Sequence, residues 1–123
     1  MTYIYILGKI LLGGYFIKGG IGHFKNVAML TGYAHSKKVP APKIAVLLTG
    51  AMMTVGGLGI IIGPFTQLAS LILIVFLVPT TIMMHQYWKD TDPMQKMSNE
   101  INFYKNVGLI GSLLMIFCLV SLL

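Results

Sequence analysis

Polar positions cut this chain into long apolar runs, and the spacing of the cuts predicts four membrane-crossing helices. The first run goes from Tyr3 to about Gly22. At about 1.5 Å per residue it can cross a hydrocarbon core of about 30 Å. It lacks the basic leader and small-residue cleavage site of a secretory signal, so it reads as a span. Lys9 and Lys18 interrupt it. Lys18 lies near the end of the run and can extend to the interface. Lys9 lies deeper, and either reaches the opposite interface or faces the bundle interior. Phe24 to Pro42 is a polar connection. Within it Asn26 is a candidate cap for a short interfacial helix running toward His35, with Val27, Leu30 and Tyr33 roughly on one face. Pro40 and Pro42 end that helix and prepare the next start.

The second span runs from Ile44 to Gly63. Its Gly59 and Gly63 form a Gly-x-x-x-Gly pair, a signal for close helix approach rather than for a phosphate loop, since no strand precedes it. Gly63-Pro64-Phe65-Thr66 predicts a tight turn. The third span runs from about Gln67 to Met84, with Pro79 inside it, which predicts a kink or a loosened last turn. Tyr87 and Trp88 then suit an aromatic belt at the membrane edge. Asp92-Pro93 reads as a helix cap followed by proline at the first helical position. The helix that starts there can continue through Asn102, Lys105 and Asn106 to Leu123. Only Phe103 to Leu123 is apolar enough to span, so the polar first part projects from the bilayer.

Composition supports this reading. Of the 123 residues, 56% are apolar and 10% charged, against about 45–50% and about 25% in an ordinary soluble domain. Mean hydropathy is +0.82. A soluble chain of this length could not hide so much apolar surface in one core. The expected fold is all-α: a four-helix transmembrane bundle with a short interfacial helix between spans one and two, residues 1–123 forming one domain. Its expected place is the cytoplasmic membrane of a bacterium or archaeon.

The net charge of +6 comes from lysines set between apolar runs. They read as topology signals and lipid-headgroup contacts, not as a nucleic-acid surface, because no groove-reading motif accompanies them. Lys25, Lys37, Lys38, Lys43, Lys89, Lys96 and Lys105 collect on one side, with Lys18 reaching toward it, and Lys9 alone is a candidate for the other. The positive-inside rule places the lysine-rich side in the cytoplasm and both termini outside. The single cysteine, Cys118, excludes an intrachain disulfide and a Cys-x-x-Cys redox pair, and reads as a small buried hydrophobe.

Catalytic sets are hard to find. Ser36, Ser70, Ser98, Ser112 and Ser121 lack a nucleophile-elbow context. Asp90, Asp92 and Glu100 all lie outside the spans, where helix capping and a solvated loop account for them. Met52-Met53 and Met83-Met84 read as flexible packing rather than copper handling.

The order of motifs resembles the DoxX family of small bacterial and archaeal membrane proteins. The resemblance rests on Gly19-Gly20-Ile21-Gly22-His23-Phe24, then Val39-Pro40-Ala41-Pro42, Gly56-Gly57 and Gly63-Pro64-Phe65-Thr66, and it extends through His85, Trp88 and Phe103-Tyr104-Lys105-Asn106. It implies a four-helix membrane protein. Since the family takes its name from relatives of a thiosulfate–quinone oxidoreductase subunit, it also implies a link to quinone or electron-transfer chemistry. Family members often carry a glutamate just before the paired glycines of span two. Met53 stands at that position here, so chemistry that needs this carboxylate is in doubt for this chain.

Candidate binding residues are His23 and His85, at the same end of their spans, with Lys105 and Asn106 expected at the same level. Together they would supply donors to a quinone carbonyl. The competing reading is that they bond helix-end carbonyls and fix packing. Axial histidines could also hold a haem, but that needs a wide cleft between facing helices, which the sequence does not indicate. A zinc site of His23, His35 and His85 lacks ligand spacing or a thiolate pair. Three functions follow as expectations: an accessory or assembly subunit of a larger membrane complex, such as a redox complex; a quinone-linked oxidoreductase subunit using the His/Lys/Asn cluster; or a small-solute transporter. The last ranks lowest, because a proton-coupled carrier needs an intramembrane carboxylate and the spans have none. Expected partners are the lipid bilayer and either other membrane subunits or further copies of the chain.

Overall fold

The structure, a computed structural model, describes residues 1–122, with side chains through residue 120. Five α-helices follow one another: α1 (Thr2–Lys25), α2 (Val27–Ser36), α3 (Pro42–Ile61), α4 (Thr66–Met84) and α5 (Pro93–Leu122). Short 3-10 turns at Gly63–Phe65 and Tyr87–Lys89 lead out of α3 and α4. Among the described residues, four helices are long and apolar enough to cross a membrane, and α2 is the short one. The expected four-helix bundle with a connecting helix is therefore the fold. Leu123 and the side chain of Ser121 lie outside the described residues.

The helices pack as a chain of neighbours: α1 against α3, α3 against α4, and α4 against α5. The tightest seam joins α1 and α3. A Cβ added at Gly13 would lie 2.5 Å from the Gly57 carbonyl oxygen, and one at Gly57 the same 2.5 Å from the Gly13 carbonyl. One heptad along, a Cβ at Gly20 would lie 2.7 Å from the Gly50 carbonyl. Glycines a heptad apart on two antiparallel helices thus meet pairwise, and backbone touches backbone. The Gly59/Gly63 pair does not make this seam. Gly59 receives Ala69 of α4, while Gly63 lies beyond α3 in the exposed turn. Phe16, Ile60, Leu73 and Leu113 fill the centre with no accessible surface to speak of.

The connections are capped locally. Asn26 does not cap α2 with its side chain; its amide donates back to the Gly22 carbonyl (3.1 Å), closing α1 instead. α2 ends in a Schellman motif, with Val39 N–H on the Ala34 carbonyl and Lys38 N–H on the His35 carbonyl. Lys38 (φ 61°) takes the left-handed position usual for glycine, and Ala41 (φ 45°) is left-handed too. Each such non-glycine residue costs about 1 kcal/mol or more. Asp92 caps α5 by accepting the Gln95 N–H (3.3 Å), as its place before Pro93 predicts. A knot of rings joins the turn after α4 to α5. Tyr87 packs edge-on to Trp88 and Phe103, and its hydroxyl meets that of Tyr104 at 3.2 Å.

Lys9 lies over the Tyr5 ring (5.3 Å) and beside Gly63, at the Gly63 end of the bundle, and it also lines a second pocket there with Leu12, Ile60 and Thr66. Cys118, expected to be buried, is exposed on α5, because α5 packs mainly against α4 and leaves its other faces open.

Gly57→Ala should lower the thermal stability of the detergent-solubilised protein by about 1–3 kcal/mol, since the new methyl meets an immovable carbonyl. Gly14→Ala, where a Cβ meets nothing within 4 Å, should leave stability unchanged or raise it by up to about 1 kcal/mol. Equal melting temperatures for the two variants would contradict the glycine seam.

Candidate functional site

His23 comes within the last turn of α1, and the glycine seam delivers it to α3. A Cβ at Gly50 would sit 2.8 Å from the His23 Cβ, so only glycine lets the imidazole come this close. Its Nδ1 reaches the Val46 carbonyl (3.1 Å) and the Thr49 hydroxyl oxygen (3.2 Å). Thr49 gives its own proton to the Ala45 carbonyl (2.6 Å). Phe76 of α4 stands edge-on to the His23 ring, with centroids 6.4 Å apart.

His85 follows α4 directly. Its Nδ1 lies 3.4 Å from Oδ1 of Asn99 on α5, and the Asn99 amide donates to Asp90 Oδ2 (2.7 Å). Asn99 is 5% exposed. Asp90 is therefore not merely a solvated loop carboxylate; it holds a buried amide that in turn holds an imidazole. Sequence reasoning missed this chain, because residues 85, 90 and 99 form no local spacing motif. The signal present was an asparagine in the polar first turns of α5.

Both histidines line one cavity of about 390 Å³. α2 roofs it with Leu30, Tyr33 and Ala34, and the strained turn after α2 lowers Val39 and Pro40 onto it. Phe76, Pro79, Thr80, Met83 and Met84 of α4 form the opposite wall. Pro79 has no N–H, so the helix there lacks the amide that would bond the Val75 carbonyl. Ligand pockets commonly have this size and this make-up, an apolar lining with a few polar groups.

Lys105 and Asn106 stand apart from the cavity. Lys105 lies over the Tyr15 ring (5.8 Å) and donates to Asn102 Oδ1 (3.4 Å). Tyr15 is about 12 Å along α1 from His23. Asn106 is buried without lining the cavity. His35 is exposed on α2 and does not line it either. Among the described residues no three metal-ligating His, Cys, Asp or Glu side chains come together. Met53 is buried in the core, its methyl against Gly19 of α1, so the position expected to hold a carboxylate instead packs two helices.

Fold and cavity together define a polytopic helical membrane protein with a histidine-lined pocket near the lysine-rich end of its bundle. The DoxX family profile matches residues 5–86, and the chain belongs to that family. The match covers both histidines and ends before Trp88 and the Phe103–Asn106 stretch. The inner membrane protein YphA of Escherichia coli (strain K12) is 30% identical over 84 residues, 68% of this chain and 59% of YphA. This chain thus spans less than two thirds of that relative's length. No solved structure matches it.

Nitrogen NMR of histidine-labelled protein should find the proton of neutral His23 and His85 on Nδ1. Exposed His35 should show the ordinary solution preference for Nε2–H. A uniform Nε2–H pattern across all three would contradict the hydrogen bonds described here.

Proposed function

We propose that this chain is a ligand-binding membrane subunit whose cavity holds the ring of a lipid-soluble quinoid molecule, in the service of a larger redox assembly. The observation that carries this reading is the pair of imidazoles on one cavity, each with Nδ1 committed to the protein and, among the described residues, neither with a partner at Nε2. The cavity's size suits a one- or two-ring head, and its apolar wall of Phe76, Met83 and Met84 suits a ring drawn from the bilayer. Thiosulfate–quinone chemistry among DoxX relatives is in keeping with such a ligand. Neither Lys105 nor Asn106 is needed for it.

The accessory-subunit reading draws on a separate feature. Gly108 and Gly111 of α5 have no atom near a would-be Cβ, and Ser112 is exposed beside them. This small-residue face in an apolar segment is free within the chain and suits close approach by a helix of another subunit. The lysine-rich end, near which the cavity lies, belongs on the cytoplasmic side by the positive-inside rule.

Protein purified in mild detergent should carry a quinoid ligand, quinol or quinone, in near-stoichiometric amount, and His85→Ala should remove it. A protein free of both forms after extraction from quinone-replete membranes would sink the ligand reading. Copurification of a stoichiometric partner in that same preparation would favour the accessory role alone. For orientation, Lys38→Cys in a Cys118→Ser background should resist an impermeant maleimide in intact cells and react once the membrane is opened. Labelling in intact cells would invert the topology.

A further inference from the structure

The two cavity histidines are held in one protonation pattern by groups that can only accept. At His23 the argument is direct. The Val46 carbonyl has no proton to give, and Thr49 has spent its own on Ala45, so the proton between them is on Nδ1. At His85 the same state is imposed through two side chains. The Asp90 carboxylate accepts, so the Asn99 amide must turn its NH2 toward it. That turn presents Asn99 Oδ1 to His85, and an amide oxygen also only accepts, so the His85 proton is again on Nδ1. In both rings the Nε2 lone pair is what remains for a ligand.

We propose that the cavity selects the reduced, hydroxyl-bearing form of its quinoid ligand, and that Asp90 and Asn99 are positioning residues that set this preference through His85. The proposal rests on the quinoid reading above. A quinol offers O–H donors, which two Nε2 acceptors satisfy. A quinone offers only carbonyl lone pairs, which would face the two Nε2 lone pairs and gain no hydrogen bond from either imidazole. Tyr33 and Thr80 also line the cavity, but a hydroxyl can rotate to donate or accept and so does not discriminate. The imidazoles, pinned at Nδ1, do discriminate. This reverses the expectation from sequence, in which the histidines were donors to a quinone carbonyl.

The test is anaerobic equilibrium binding of three ligands to the full chain in lipid nanodiscs, at a pH where imidazole is neutral. The ligands are menadiol, its dimethyl ether and menadione. Menadiol should bind more tightly than the other two by roughly tenfold or more, the worth of one well-made hydrogen bond. Asp90→Ala and Asn99→Leu should bring the menadiol-to-menadione ratio toward one, because the His85 ring is then free to carry its proton on Nε2. A purely structural role for these residues would weaken both ligands alike and leave the ratio unchanged, which would overturn their assignment. Asp90 is only half-buried, so its variant serves if Asn99→Leu does not fold. Equal or tighter binding of menadione by the native chain would overturn the proposal while leaving the quinoid cavity standing. Binding of none of the three would overturn both.

Discussion

Backbone contact between α1 and α3 is the constraint on which the remainder of this structure depends. Helices in lipid gain no hydrophobic free energy from touching one another, so their association draws on van der Waals packing at close range. Gly13 against Gly57 and Gly20 against Gly50 bring the two helices to that range. The same approach builds the site. His23 sits a little less than one turn beyond Gly20 and passes directly over Gly50, which is how Nδ1 reaches the Val46 carbonyl. A side chain at position 50 would part the helices and take His23 from its acceptor in a single step. Fold and imidazole chemistry are therefore not separable on this side of the cavity.

The other wall follows from how α4 leans on α3. Leu73 and Ala69 occupy the hollows above Gly56 and Gly59, which fixes the height of α4. Phe76 then stands against His23, and Pro79, Thr80, Met83 and His85 follow along the cavity. α2 is too short to complete a fifth column and serves as a roof. Its Schellman ending on a lysine and the left-handed Ala41 bend the chain so that Val39 and Pro40 face inward. Backbone strain held at such a place is accepted where the surrounding packing over-determines it.

The spans were legible because a run of apolar residues between polar breaks has few other physical meanings, and the observed helices differ from the expected ones by only a few residues at their ends. Pro79 inside α4 and the Asp92-Pro93 start of α5 were equally local signals. The seam was misread because Gly-x-x-x-Gly is the familiar pattern, whereas Gly13/Gly20 and Gly50/Gly57 are spaced by a heptad and become meaningful only once α1 and α3 are known to be antiparallel partners. His23 and His85 could be placed at one end of the bundle from the span order alone. Lys105 and Asn106 were assigned to the same level by counting along α5, and counting does not give rotation about the helix axis. Lys105 turns to Tyr15 instead, and the residue that faces His85 is Asn99, almost two turns earlier.

That last difference separates what the family segment carries from what this chain adds. Residues 5–86, the DoxX match, contain both histidines and the Val46 and Thr49 partners of His23. The partners of His85, Asn99 and Asp90, lie beyond it. An imidazole is a donor, an acceptor or a cation according to what its other nitrogen meets. The matched segment thus fixes where two rings stand but the state of only one of them. The second is settled by a carboxylate in a loop, acting through one buried amide on the polar first turns of α5. A single substitution at position 90, which is only half-buried, would leave the bundle's apolar packing largely untouched and still change what the cavity offers a ligand. The polar first turns of α5 are therefore where one fold can be tuned to different ligand states without altering its seam.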